Sequence, residues 1–404
     1  MSEKASFTVT QGFSRRQVFL MALSCALAVS TIYYHQPLLP QIASAFGVTV
    51  AHGSLIGTLT QLGYAMGLLL FVPLGDGIQP RKLASLAISA NAVALIACAV
   101  APTFSLLAGC SFLVGMTAVT AQIIIPAVSG QTTPERRGRV VGSLLGGLSS
   151  GVLLARTVSG VVGAHLGWRA IFVFASVADL ALLVIIIRNL PLSGLLSTIR
   201  YRRLMGSLTV LIREERLLRI SAATSFLLFA AFSALWTTLA ALLARLPYEF
   251  GPAAIGAFGL VGILGLAVSP QVGAVADRIG TRNMASLGAI TVTVAFAFVA
   301  AGGISLSCLI VGMVLLDLGN RAALVANQTR IYALRPEARS RLNTVLMVSY
   351  FLGGASGSVL GGIGAHFESW IGLAAVGATL SLAAAAVNAL SYRQTRPALI
   401  EERA

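Results

Sequence analysis

Asp317 and Arg321 stand four residues apart inside an apolar stretch, where an ionised side chain at the centre of a membrane helix costs about 2.5–3.5 kcal/mol. On a helix this spacing puts both on one face, and Asn320, Asn327 and Gln328 extend the polar stripe over three turns. Two chemistries fit. An acid beside a base can take up and release a proton or a substrate as its surroundings change. Alternatively, the two charges neutralise each other within the helix and hold it against a neighbour. In either case the stripe cannot face lipid and must face another helix or an aqueous cavity. Two further charges lie inside apolar runs. Arg156 could attract an anionic group or pair with an acid, and Asp179 is expected to hold a structural pair with a neighbour.

Aromatic and amide groups in other runs, Tyr33, Tyr34, Gln36, Gln122 and Trp236, could line an adaptable binding surface, although singly such residues also serve as core or interface. His35 has a side chain suited to proton coupling, and a satisfied structural histidine is the plainer expectation. Pro37 and Pro40 mark a bend or the end of a regular helix. The four cysteines, Cys25, Cys98, Cys110 and Cys308, fall inside apolar runs without metal-ligand spacing and read as buried thiols. No nucleophilic triad, catalytic carboxylate pair, phosphate-binding loop or metal cluster is present in the sequence. The expectation is therefore no enzyme activity, no cofactor, no metal and no ATP-driven transport.

The elements that must carry these residues are membrane helices. Of 404 residues, 57% are hydrophobic and 10% charged, with a mean hydropathy of +0.88, too apolar for a soluble or disordered chain to cover itself with polar surface. Apolar runs fall near 17–43, 51–75, 82–101, 104–128, 140–164 and 169–188, then near 218–243, 253–275, 283–302, 305–332, 342–364 and 369–390. Each can cross a hydrocarbon core of about 30 Å, and none shows the ten-residue alternation of a barrel strand. The predicted fold is all-α, with twelve transmembrane helices as two six-helix bundles at 1–188 and 218–404, joined by a cytoplasmic linker at 189–217.

The formal charge of +15 does not indicate nucleic acid, because the basic residues sit in short clusters between apolar runs. Of 28 Lys and Arg, Arg156 and Arg321 lie within runs and only Arg169 and Arg245 fall on one side of the helix map, which leaves 24 on the other. That bias predicts both termini in the cytoplasm. The polar segment through Arg16 lacks a convincing signal cleavage site, so the first run is expected to remain as a membrane helix. The halves also repeat. Asp76 matches Asp277 at an offset of 201, and Pro134-Glu135, Arg137, Arg139, Gly151, Gly160 and Trp168 match Pro336-Glu337, Arg339, Arg341, Gly353, Gly362 and Trp370 at 202. Ordered matches at near-constant offset indicate parallel repeats with a site at their interface.

These features resemble the major facilitator superfamily over essentially the whole chain. The sharpest local match is Gly273-Ala-Val-Ala-Asp277-Arg278-Ile-Gly280-Thr-Arg282, which fits the superfamily's loop signature. Its first-half counterpart around Asp76 and Arg81 keeps the acid and basic residues but is degenerate. The resemblance implies that Asp76, Arg81, Gly273, Asp277, Arg278, Gly280 and Arg282 latch the cytoplasmic side of an outward-open state, with Gly280 supplying a positive φ. The small residues Gly142, Gly151, Ser159 and Gly160 of the fifth run favour close helix packing. Their spacing partly resembles the antiporter signature of drug/proton exchangers, with Arg156 in place of its proline. By resemblance, runs one, four, seven and ten line a central cavity, which makes the stripe on run ten the leading substrate or proton site. The implied function is proton-coupled efflux of a small-molecule drug or metabolite by alternating access; the alternative is a uniporter or proton symporter for a small polar or anionic nutrient. A non-transporting sensor or enzyme is a remoter reading. The expected setting is a bacterial inner membrane, with lipid, substrate and protons as partners, no nucleic acid, and a monomeric chain.

Overall fold

The computed structural model describes residues 13–76, 78–190, 201–262, 279–335 and 338–390. Every regular element among them is helical. The helices of six residues or more are α1 Arg15–Ser30, α2 Leu39–Ala45, α3 Leu55–Phe71, α4 Pro80–Val100, α5 Phe104–Thr117, α6 Thr120–Gly130, α7 Pro134–Leu166 and α8 Trp168–Asn189, followed by α9 Tyr201–Glu214, α10 Arg216–Leu243, α11 Pro252–Ala257, α12 Thr281–Ala300, α13 Leu306–Tyr332 and α14 Arg339–Ala389.

Among the described residues, nine helical stretches are long and apolar enough to cross a bilayer, against twelve apolar runs in the sequence. The difference arises at three places. The first run breaks after Ser30, because Pro37 has no amide proton and disfavours helix before it. The backbone there bonds one residue closer: Tyr33 donates to the Ser30 carbonyl at 3.0 Å, Gln36 to Tyr33 at 3.2 Å and Leu38 to His35 at 3.1 Å. The Tyr34 carbonyl accepts instead from the Ser159 hydroxyl on α7, so the break is satisfied by protein. The eighth run extends into 263–278, outside the described residues. The last two runs join in α14 across a corner at Glu368 and Ser369, whose dihedrals leave the helical region.

The repeat seen in the sequence is present in the packing. Gly167 has φ +80° and leads into Trp168, while Ser369, 202 residues later, has φ +51° and leads into Trp370. Trp168 packs on Phe46 at 5.6 Å, and Trp370 meets Tyr248, again 202 residues on, at 6.5 Å. In one half Gly151 of α7 lies against Ala26 of α1, and in the other Gly353 of α14 lies against Phe226 of α10. The missing side chains let the helix backbones touch. Leu86, Val93 and Val100 form an outward stripe on α4, 68%, 72% and 70% exposed, a surface suited to acyl chains rather than water.

The halves meet near the end that carries the turns after α2, α7 and α10. There the Thr157 hydroxyl donates to the Gly256 carbonyl at 3.0 Å, Gln61 Nε2 donates to Ser233 at 2.6 Å, and Tyr64 stands edge-on to Phe351 at 4.4 Å. At the opposite end, the stretch 189–217 contains α9, which touches the 3-10 turn Val72–Asp76 of the first half. Arg335 bonds Glu214 at 2.8 Å and Glu215 at 2.7 Å, pinning the α9–α10 corner to the second half. The bond to Glu214 is the main reason the Arg335 pKa is raised further.

Candidate functional site

The stripe on α13 is present but divides. Arg321 Nε donates to Asp317 Oδ2 at 2.7 Å, forming the ion pair that i,i+4 spacing permits, with the Asp317 side chain 6% and that of Arg321 23% exposed. Arg321 also extends Nη1 to the Ser149 hydroxyl of α7 at 3.5 Å, so the pair lies on the seam between the halves. Asn320 donates to the Tyr350 hydroxyl at 3.0 Å, and Tyr350 stacks on Phe229 at 3.7 Å. Asn327 donates to Ser225 at 3.1 Å and Gln328 to Asn343 at 3.4 Å. These three amides fasten α13 to α10 and α14, whereas Asp317 and Arg321 face the first half.

Arg156 sits on α7 among residues from both halves and is 2% exposed. Its guanidinium lies 3.7 Å from the Trp236 ring of α10 and 4.9 Å from the Tyr33 ring, a cation–π arrangement across the seam. Nε donates to Gln36 Oε1 at 2.7 Å and Nη1 to the Val152 carbonyl at 3.1 Å, while Nη2 has no hydrogen-bond partner. The break after α1 is what brings Tyr33 and Gln36 to this point. His35 is buried beside them, its Nε2 without a partner, 3.1 Å from where a side chain at Gly57 would begin. Tyr34 is buried and serves through its carbonyl, and Gln122 on α6 lies beside Tyr64.

Comparisons with known proteins place this helical bundle in a family. The family described as the Major Facilitator Superfamily matches residues 18–307 and 221–404. The chain belongs to the major facilitator superfamily. It is 36% identical over 366 residues to the uncharacterized transporter YgaY of Escherichia coli O157:H7, covering 90% of this chain and 93% of that one. It is 25% identical over 289 residues, 69% of each chain, to the inner membrane transport protein YnfM of Escherichia coli K12. In fold it resembles the crystal structure of the nucleoside transporter NupG (D323A mutant), with a TM-score of 0.76 at 13% identity, covering 93% of this chain and 100% of that one. The protein is a multi-pass membrane transporter of the superfamily and not an enzyme.

Of the superfamily's loop signature, Gly273, Asp277 and Arg278 lie outside the described residues. Gly280 caps α12 with φ +82°, a conformation that favours glycine, and Arg282 follows as the second residue of that helix. Asp76 ends the 3-10 turn Val72–Asp76, and Arg81 is the second residue of α4. On α7, a side chain at Gly142 would begin in open space, Gly151 touches α1, Ser159 bonds the break, and Gly160 lies against Pro252 and Gly256 of the other half.

Two groups escaped the sequence reading, and a third departs from it. Arg330 counts there as a loop charge, yet it is 7% exposed and donates from Nη1 to Asn388 at 2.8 Å and Asn327 at 3.2 Å. Gln61, Ser233 and Ser358 form a chain across the seam, and only Gln61, an amide inside an apolar run, stood out in type. Asp179 has no hydrogen-bond partner at Oδ2 and is 2% exposed, so the neighbour expected to pair with it does not hold that oxygen. Asn388 also donates to the Arg282 carbonyl and to Ser286, so it ties three helices to one buried cation. Asn388→Leu should cost about 2–3 kcal/mol, since hydrogen bonds to charged groups contribute about 1.5–3 kcal/mol each. A lowered melting temperature in detergent checks this, and an unchanged melt removes the network from the stability account.

Proposed function

We propose that the protein is a proton-coupled secondary transporter that expels a small-molecule drug or metabolite by alternating access. The observation that carries this reading is the Asp317–Arg321 pair, which reaches the opposite half through Ser149 at 3.5 Å, a contact that rocking of the halves would break. A carboxylate whose partner depends on the conformational state can link proton uptake to opening. The proposal includes twelve spans in two six-helix halves, 1–188 and 218–404, joined by 189–217. It also places both termini in the cytoplasm of a bacterial inner membrane and takes the chain as a monomer. In that orientation the seam contacts lie toward the periplasm. The latch, Asp76 and Arg81 with Gly273, Asp277, Arg278, Gly280 and Arg282, would close the cytoplasmic side in the other state.

A thermal-shift screen against drugs and metabolites finds the ligand, because a molecule that binds the native state raises its melting temperature. Flux of that ligand in proteoliposomes, with and without an imposed pH gradient, then tests coupling. Buried Arg156 favours a second reading, a uniporter or symporter for an anionic nutrient. Flux that ignores the gradient supports the uniporter, and co-directional proton movement supports the symporter. For topology, single cysteines replacing Ser197 and Glu249 on a cysteine-free background should label from opposite sides of the membrane. Labelling of both from the periplasm overturns the orientation.

A further inference from the structure

The charge gathered on the seam does not cancel. The ionisable groups around Arg156 are Tyr33 and His35, both uncharged in their ordinary forms at pH 7, together with Asp317 and Arg321. Asp317 is the one acid among them, and it is already engaged by Arg321 at 2.7 Å. The cluster therefore carries one net positive charge, centred on a guanidinium that is 2% exposed. A buried cation without a counter-charge is costly, and rings and neutral acceptors offset only part of that cost. Gln36 and the Val152 carbonyl take Nε and Nη1, fixing the plane of the fork, and the Trp236 and Tyr33 rings flank it. The two N–H groups of Nη2 are left with no acceptor.

We infer that Arg156 is the recognition point for the carboxylate of a small organic monoanion, whose apolar body packs on Trp236 and on Phe232, the two rings lying 6.1 Å apart. This rests on the transporter reading and adds the substrate's chemical class. One net charge selects one anionic group: a neutral molecule leaves the cation uncompensated, a second cation is repelled, and a dianion brings an unmatched charge into a desolvated site. Arginine suits the role because it stacks on rings while still donating in the ring-free plane, which the compact ammonium of lysine does less well.

Trp236 reports occupancy directly. In a Trp168→Phe, Trp370→Phe background it is the remaining tryptophan of three. Its emission is followed in detergent while benzoate, phenylacetate, benzamide, benzylamine and phthalate are titrated. Benzoate or phenylacetate should change the emission saturably, benzamide and benzylamine should not, and phthalate should act more weakly. Arg156→Gln should remove the response and Arg156→Lys should weaken it about tenfold or more, the loss of one charge-assisted bond. Size-exclusion profiles and cooperative melts verify the fold, and where Arg156→Gln fails them the lysine variant decides alone. Equal responses to benzamide or benzylamine, a response that survives intact in the Arg156 variants, or silence toward both monocarboxylates overturns the inference. Tracer flux separates it from the wider reading. Benzoate binding without flux in proteoliposomes leaves the monoanion site and counts against transport; flux of neutral or cationic compounds alone does the reverse.

Discussion

Asp317→Asn should abolish accumulation of substrate driven by a pH gradient while sparing binding or counterflow exchange. With one proton per cycle, a gradient of one pH unit supports about tenfold accumulation, since one unit corresponds to about 1.4 kcal/mol. The variant should fall to no accumulation at all. Asparagine keeps the size of the side chain and can still accept from Arg321 Nε, so α13 should pack as before. What it removes is the carboxylate. Arg321 contacts both Asp317 and, across the seam, Ser149, so on the proposed mechanism rocking of the halves changes the surroundings of the acid. A purely intrahelical pair would need no such link. If Asp317→Asn accumulates substrate with wild-type pH dependence, the pair is structural. The next acid to examine is then Asp179, whose Oδ2 is buried without a partner, followed by His35.

Gly256→Ala should wedge the halves apart at the end where they now meet. A methyl at Gly256 would begin 2.6 Å from the Arg156 carbonyl oxygen and 2.9 Å from the Gly160 Cα, both backbone atoms that cannot rotate away. Overpacking of this kind costs about 1–3 kcal/mol. Because the strain exists only while the halves are closed there, the cost falls on one conformational state and shifts the balance by about 5–150-fold. Thr237 is 1% exposed and bonds Ser358 on the same seam, so a Thr237→Cys reporter on a cysteine-free background should react faster with a water-soluble maleimide in the Gly256→Ala protein. Gly142→Ala is the control, because nothing lies within 4 Å of the added carbon. Unchanged labelling in the Gly256→Ala protein, with transport intact, would show that this crossing does not open during the cycle.

The all-helical membrane class was legible in the sequence because hydropathy and length impose it: backbone polar groups in hydrocarbon must be bonded within the segment. The repeat was legible because equivalent turns reuse residues at a fixed offset, as at Trp168 and Trp370. The i,i+4 geometry of Asp317 and Arg321 was equally readable, being a property of one helix. Partners on other helices were decided by tertiary structure, since composition within one run carries no information about which neighbour faces it. Thus Asn320, Asn327 and Gln328 share a stripe with Asp317 but bond to α10 and α14, and Arg330 looks like a loop charge until Asn388 closes over it. The break after Ser30 joins the two levels. Its prolines mark it in sequence, but only the fold places Ser159 against the Tyr34 carbonyl and brings Tyr33 and Gln36 onto Arg156. The sequence alone determined which groups must be hidden from lipid. The tertiary structure decided what each is hidden against, because a charge in a dry interior is defined by the few atoms that surround it.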